Sequence, residues 1–432
     1  MLPGEMASNK EYFMPEDIHL SCISNKSAVP VMDQPQLVYV LSEISPGGFA
    51  PDVRLPLNFA LVLDRSGSMA GEKIRTMREA VKNIIDQLDP MDVVSVITFE
   101  STTQVLIPAQ AVGNKPLLKS MVDSIRDGGG TSMAPAIREA VNQVSTFHNS
   151  ERISRIILLT DGEVTDKEAD SFREADHAGA LGIPLIGLGL GSDWNTDFVQ
   201  ELADRSLQAA PKSRVGYADY IATPDQAFSI FQQVFQSMQI VCKGVTVTMR
   251  MVQGVEARRV WQVTPMIKDI SLKTIQGRSV VIAVGDLDKS GAAFMMELVL
   301  PPRPEGMMRA AQLDVIYTSL QKVSGRTAAD LIVNFSADPA LVNQLDSRVM
   351  GIVEKVTAFK LQTQALDEAT AGNIPGATQR LRQAVTILLN QGETQLAQQM
   401  EKEAQNLEQG KGISEEGSKT IRLTSRKTVR LD

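Results

Sequence analysis

Leu57-Asn58-Phe59-Ala60-Leu61-Val62-Leu63-Asp64-Arg65-Ser66-Gly67-Ser68 passes from a nearly unbroken apolar run into a short polar stretch. Such a run suits a parallel strand covered on both faces, because neither face can then afford polar side chains. From Glu72 to Leu88 the period changes: Ile74, Met77, Val81, Ile84, Ile85 and Leu88 recur at helical spacing. The alternation continues. Val93–Phe99, Ile153–Thr160 and Ile183–Leu190 read as buried strands, and Thr103–Ile107 as a short edge strand. Lys115–Ile125, Ser132–Val144 and Lys167–Ala180 read as helices. Thr223-Pro224-Asp225-Gln226 combines a capping threonine, a first-turn proline and a capping-box glutamine, which opens a helix to about Met238. This pattern predicts a doubly wound α/β domain with a mainly parallel sheet. Right-handed crossovers bring the carboxyl ends of its strands to one edge, where Asp64 and Asp161 both fall.

Two more pieces join Asp64, Ser66 and Ser68: Thr131 after Gly128-Gly129-Gly130, and Asp161 in Thr160-Asp161-Gly162. Together they offer two carboxylates and three hydroxyls. All are oxygen donors, which suit a hard cation such as Mg²⁺ and leave a coordination position for an outside carboxylate. Asp-x-Ser-x-Ser alone also describes an ordinary turn; the second and third pieces, in order beside further strands, argue for a site. The spaced set resembles the metal-ion-dependent adhesion site of von Willebrand factor A (VWA) domains. The resemblance implies that Asp64, Ser66, Ser68, Thr131 and Asp161 hold Mg²⁺, with Mn²⁺ or Ca²⁺ as substitutes. It further implies a protein partner that supplies an Asp or Glu carboxylate, and a scaffold or adaptor rather than an enzyme.

Outside residues 55–238 the texture changes. Lys243–Met251, Arg258–Val263, Ser271–Ile275, Ser279–Val284, Ala292–Leu300 and Gln312–Thr318 read as strands with Gly and Pro punctuation, a β-sandwich over 239–335. Ile18–Ile44 within residues 1–54 holds two or three more, too few to close a core alone, so they are expected to pair with the later strands. The α/β domain is then inserted in the sandwich, an arrangement that resembles bacterial VWA proteins. The other arrangement is an N-terminal arm along the α/β surface. Residues 336–409 read as a helical bundle or hairpin, with one apolar stripe through Leu341, Leu345, Val349, Val353 and Val356. Residues 410–432 read as a flexible basic tail with threonines at Thr420, Thr424 and Thr428 among basic residues. It is either a plain solvated tail or a phosphorylated segment, written by a Ser/Thr kinase and read by a phosphothreonine-binding domain.

A formal net charge of −8 argues against general nucleic-acid binding. His19, His148 and His177 are too scattered for a zinc site or a histidine-based hydrolase. No phosphate loop ending in Lys-Ser/Thr occurs, so nucleotide hydrolysis is not expected. Cys22 and Cys242 have no metal-ligand spacing, and Met1–Phe13 lacks a signal-peptide core. With no apolar stretch of spanning length, a cytoplasmic location is expected. Two rival roles stand beside partner capture: a substrate-presenting or regulatory subunit of a MoxR-like AAA+ ATPase, and a kinase-regulated adaptor acting through the threonine tail.

Overall fold

The computed structural model describes residues 18–47, 55–161, 167–190, 194–208, 218–221, 230, 232, 234–235, 238–422 and 425. Three short-to-long strands come first: β1 (Ile18–Ser24), β2 (Val29–Pro30) and β3 (Gln36–Pro46). The α/β unit follows as β4 (Leu57–Asp64), α1 (Glu72–Gln87), β5 (Val93–Phe99), β6 (Thr103–Ala111), α2 (Lys115–Asp123), α3 (Ala134–Ser145), β7 (Ile153–Thr160), α4 (Glu168–Ala180), β8 (Leu185–Leu190), α5 (Thr196–Gln208) and β9 (Ala218–Ile221). Its sheet runs β6-β5-β4-β7-β8-β9, parallel except for the edge strand β6.

Strand β4 shows why the sequence looks as it does. Every residue of β4 is buried. Leu57, Phe59, Leu61 and Leu63 point into the core shared with α1, whereas Ala60 and Val62 point into the core shared with α3. Period two within a continuous apolar run is the mark of a strand with helices on both faces. Helix α3 begins at Ala134 rather than Ser132, because Ser132 donates its backbone N–H to the Glu100 carbonyl at 2.7 Å and Pro135 sits in the first turn. The helix expected from Thr223 falls largely outside the described residues.

The remaining strands are β10 (Ile240–Met251), β11 (Glu256–Thr264), β12 (Lys268–Asp269), β13 (Ile275–Gln276), β14 (Ser279–Asp288), β15 (Ala292–Leu300), β16 (Gly306–Ser319) and β17 (Ser324–Ser336). They form two sheets, β1-β3-β15-β11-β12 and β13-β14-β10-β16-β17-β2. β3 pairs antiparallel with β15 from Gln36↔Leu300 to Ile44↔Ala292, so strands on either side of the α/β unit complete one sheet. Val38, Val40 and Ile44 share a core with Val247, Met249, Leu313 and Val315 across the sandwich. Ser271–Thr274 departs from the strand expected there: it is a single helical turn, α6. Local bonds account for it, since Asp269 accepts the Ser271 N–H at 3.0 Å and Thr274 Oγ1 donates back to the Ile270 carbonyl at 2.9 Å.

The α/β unit and the sandwich are tied electrostatically. Arg155 in β7 is buried and faces the carboxylates of Asp286 and Asp288, which oppose the fall in its pKa that burial causes. Lys243 Nζ donates to the Ser150 carbonyl at 2.7 Å, and Lys322 pairs with Glu151 at 3.2 Å.

The helical region holds α7 (Pro339–Val342), α8 (Ser347–Thr370), α9 (Ile374–Asn390), α10 (Thr394–Glu408) and α11 (Glu415–Arg422). The single stripe expected from Leu341 to Val356 does not form. Asp346 caps α8 by accepting the Val349 N–H at 2.9 Å, and Leu341 and Leu345 stay exposed before that break. α8 is apolar on two sides: Val349, Ile352, Val353, Val356 and Phe359 cover Leu41, Trp261 and Met295 of the sandwich, while Ala358 and Ala365 meet α9 and α10.

The flexible tail expected from residue 410 is corrected for its described part. Glu415–Arg422 is helix, with Thr420 and Ile421 buried. Buried Glu403 of α10 anchors it by accepting from the Ser414 N–H at 2.7 Å and the Ser414 hydroxyl at 2.5 Å. Beside it, the Lys419 ammonium lies 6.0 Å from the centre of the Trp194 ring, which ties α11 to the α/β unit. Thr424 and Thr428 lie outside the described residues.

Candidate metal centre

Asp64 ends β4 and Asp161 directly follows β7, and these strands are adjacent and parallel, with Leu63 opposite Leu159. Register alone therefore sets the two carboxylates side by side at the carboxyl edge of the sheet. After Asp64 the chain turns sharply through Gly67–Met69, a single 3₁₀ turn. Asp64 Oδ1 accepts the Ser66 backbone N–H at 2.8 Å, which fixes the carboxylate against its own loop. Its other oxygen, Oδ2, accepts the Thr160 hydroxyl at 2.7 Å. Asp64 and Asp161 are both fully buried. Burial pushes the Asp64 carboxyl above the ordinary aspartate range, and the Ser66 and Thr160 donors pull it back only in part.

The hydroxyls form a chain across the two loops. Ser66 Oγ and Ser68 Oγ are 3.0 Å apart, and Ser68 Oγ donates to Asp161 Oδ1 at 2.8 Å. Ser68 is exposed at the rim while Ser66 is buried. Asp161 Oδ2 is met from the other side by the Lys73 ammonium of α1 at 2.5 Å.

Thr131 enters on a third loop stitched to the first by backbone bonds. Gly128 donates to the Arg65 carbonyl at 2.8 Å, and Gly67 donates to the Gly129 carbonyl at 3.2 Å. Gly129 has φ +65, and a Cβ there would lie 1.9 Å from Glu100 Oε2, so a larger residue would be strained and would push the Glu100 carboxylate aside. Glu100 braces the same loops from the end of β5. It accepts from Thr102 Oγ1 at 2.7 Å and pairs with Arg65 at 3.2 Å. The Thr102 and Ser101 donors hold its carboxyl down to about 2, with Arg65 adding a smaller pull.

Thus the structure joins Asp64, Ser66, Ser68 and Asp161 by direct hydrogen bonds, and brings the Thr131 loop against them through backbone contacts. Three participants were missed in the sequence: Thr160, Glu100 and Lys73. Lys73 did leave a signal, since a cation in the first turn of a helix faces the positive end of the helix dipole and calls for a partner. Thr160 left none.

The donor set fits a hard divalent ion. The carboxylates of Asp64 and Asp161 and the hydroxyls of Ser66 and Ser68 lie in one hydrogen-bonded cluster with the Thr131 loop against it, all five side chains offer oxygen rather than nitrogen or sulfur, and among the described residues no cluster of three or more His, Cys, Asp or Glu competes for a metal.

The doubly wound sheet with this loop cluster at its carboxyl edge is the part of the chain that resembles a von Willebrand factor type A domain. The family model of that domain matches residues 58–219, and the model of the Sll0103-like C-terminal alpha-helical domain matches residues 347–431. Along most of its length the chain is similar to uncharacterized protein sll0103 of Synechocystis, 27% identical over 389 residues, 88% of this chain and 89% of that protein. Human inter-alpha-trypsin inhibitor heavy chain H4 is 36% identical over 169 residues, 36% of this chain and 18% of that one. The chain thus spans about a fifth of the length of the heavy chains it matches. Among solved structures, a von Willebrand factor type A protein from Catenulispora acidiphila superposes with TM-score 0.71 at 19% identity, over 98% of this chain and 99% of that one. The ArnB paralog VWA2 from Sulfolobus acidocaldarius gives TM-score 0.54 at 17% identity, over 95% and 98%. VWA domains generally mediate metal-dependent protein–protein interaction and are generally not enzymes. Among the described residues, no helix is long and apolar enough to cross a membrane.

Proposed function

We propose that this chain captures a protein partner through a Mg²⁺ ion held by Asp64, Ser66, Ser68, Thr131 and Asp161, with Mn²⁺ or Ca²⁺ able to replace it. The observation that carries the proposal is the hydroxyl chain from Ser66 through Ser68 to the buried Asp161, set beside the equally buried Asp64. Two charges kept from water are costly unless a cation or strong donors compensate them. Ser66, Ser68 and Thr131 offer neutral oxygens, so the bound ion keeps residual positive charge toward the rim where Ser68 is exposed. A partner's Asp or Glu side chain supplies the missing acceptor there. Thr160 and the Ser66 backbone hold Asp64 in one rotamer, and Glu100 with Arg65 keeps the Thr131 loop in register. The role is that of a cytoplasmic scaffold or adaptor.

The test is affinity capture with wild type, with Asp64→Ala, and with wild type in EDTA, alongside calorimetric titration with Mg²⁺. Proteins lost in both controls are the metal-dependent partners, and an AAA+ ATPase among them would make this chain its substrate-presenting or regulatory subunit. An identical captured set in all three arms overturns the proposal. The kinase-regulated reading meets an obstacle at Thr420, whose hydroxyl is buried in α11, so a kinase would first have to detach that helix.

A further inference from the structure

The Lys73 ammonium is 2.5 Å from Asp161 Oδ2. Asp161 is fully buried, whereas the Lys73 side chain is 31% exposed, so the lysine reaches the carboxylate from the solvent side of the cluster. Both oxygens of Asp161 are thereby engaged, Oδ1 by the Ser68 hydroxyl and Oδ2 by the ammonium. Lys73 is also placed against its own helix. It is the second residue of α1, whose N-cap, Gly71, makes no side-chain capping bond. A lysine at that end is repelled by the unpaired N–H groups of the first turn. Its ion pair with Asp161 offsets that repulsion.

We propose that Lys73 is a built-in competitor for the divalent ion, a tethered monovalent cation that sets the affinity of the site. The inference rests on the metal-binding reading above and deepens it. An ion drawing on Asp161 must either displace the ammonium or bind beside it. Displacement forfeits an ion pair to a buried carboxylate; coexistence places like charges a few ångströms apart. Both lower affinity, and both penalise a singly charged ion most, since it brings no more charge than the lysine already supplies. The half-exposed stem lets the ammonium swing outward, so the penalty is graded rather than absolute. Lys73 is therefore a positioning and selectivity residue, not a ligand.

The experiment is isothermal titration of Mg²⁺, and of Mn²⁺ read by electron paramagnetic resonance, into wild type, Lys73→Met, Lys73→Arg and Asp64→Ala. The expected result is tightening by about tenfold or more in Lys73→Met, as for removal of a nearby like charge at partly screened range. Lys73→Arg keeps the charge and stays within about threefold of wild type on the same argument. Should Lys73→Met fold poorly by circular dichroism, Lys73→Gln carries the same expectation. If Asp64→Ala loses binding while the neutral variants match wild type or bind more weakly, the competitor role falls and the metal site stands. If neither wild type nor the neutral variants bind either ion, both fall together. Binding by the neutral variants with none by wild type supports the competitor role in its strongest form.

Discussion

Replacing Thr160 with valine isolates one hydrogen bond at the centre of the loop cluster. Thr160 Oγ1 donates to Asp64 Oδ2 at 2.7 Å, and both residues are fully buried. Valine keeps the β-branched shape and removes the hydroxyl that donates to Asp64. A hydrogen bond to a charged group contributes about 1.5–3 kcal/mol, and here no water can replace the lost partner. For a domain of roughly 150–250 residues each kcal/mol moves the midpoint by about 2–4 °C, so the expected fall is about 3–12 °C. The assay is thermal unfolding in EDTA, followed by circular dichroism, with Thr160→Ser as the control that restores the hydroxyl while losing a methyl. A Thr160→Val midpoint within about 1 °C of wild type would refute the claim that Asp64 depends on this donor.

Other expectations follow from individual contacts. In Gly189→Ala the new Cβ would lie 1.8 Å from Trp194 Cε2, so the indole must shift; a loss of about 1–3 kcal/mol and altered tryptophan emission are expected, and unchanged emission with unchanged stability argues against the packing. Burial pushes the Cys22 thiol up to about 11, so alkylation of folded protein at pH 8 should run on the order of a hundredfold slower than for a free thiol; ordinary rates would mean that β1 opens readily. Glu100 is held down to about 2, so its contribution is full above the unfolded-state value and is lost as pH falls through about 2. Glu100→Gln should therefore flatten the acid limb of the stability profile, and an unchanged limb counts against the Thr102 and Ser101 donors as the hold on Glu100. Deleting residues 410–432 removes Ser414 from buried Glu403 and Ile421 from the helical core, at a cost of at least about 2 kcal/mol; a truncated chain that melts like the full one would show that α11 is dispensable.

Where side chains alternate against two cores, the sequence spoke clearly. The run from Leu57 to Leu63 announced a strand covered on both faces, and Asp64, Ser66, Ser68 and Asp161 are neighbours in the fold because adjacent strands end together. Elements whose apolar face is set by a distant surface were harder to read. β17 carries polar residues through its exposed half and buries Leu331, Val333 and Phe335 only near its end, so its alternation emerges late. α8 serves the sandwich with one side and α9 with another, which blurs a single stripe. α11 hides Ile421 in a stretch whose charges suggested solvent. At the site, donor types and order were visible in the chain, whereas Thr160 and Lys73 depend on which strand and helix lie alongside.

The pairing of β3 with β15 has a further consequence for how the chain is made. Ile44 waits for Ala292, and Gln36 waits for Leu300, roughly 250 residues later. At ribosomal rates of about 5–20 residues per second, that delay lasts on the order of 10–50 s. The α/β unit emerges whole within the interval and has time to fold first. Meanwhile β1 and β3 can pair only with each other, in the antiparallel register Ile18↔Pro46 to Ser24↔Val40, and the β15 side of β3 stays bare. A two-stranded hairpin is at best marginally stable alone. Nascent chains stalled before Ala292 should accordingly leave Cys22 open to alkylation, and chains stalled well beyond Leu300 should close it.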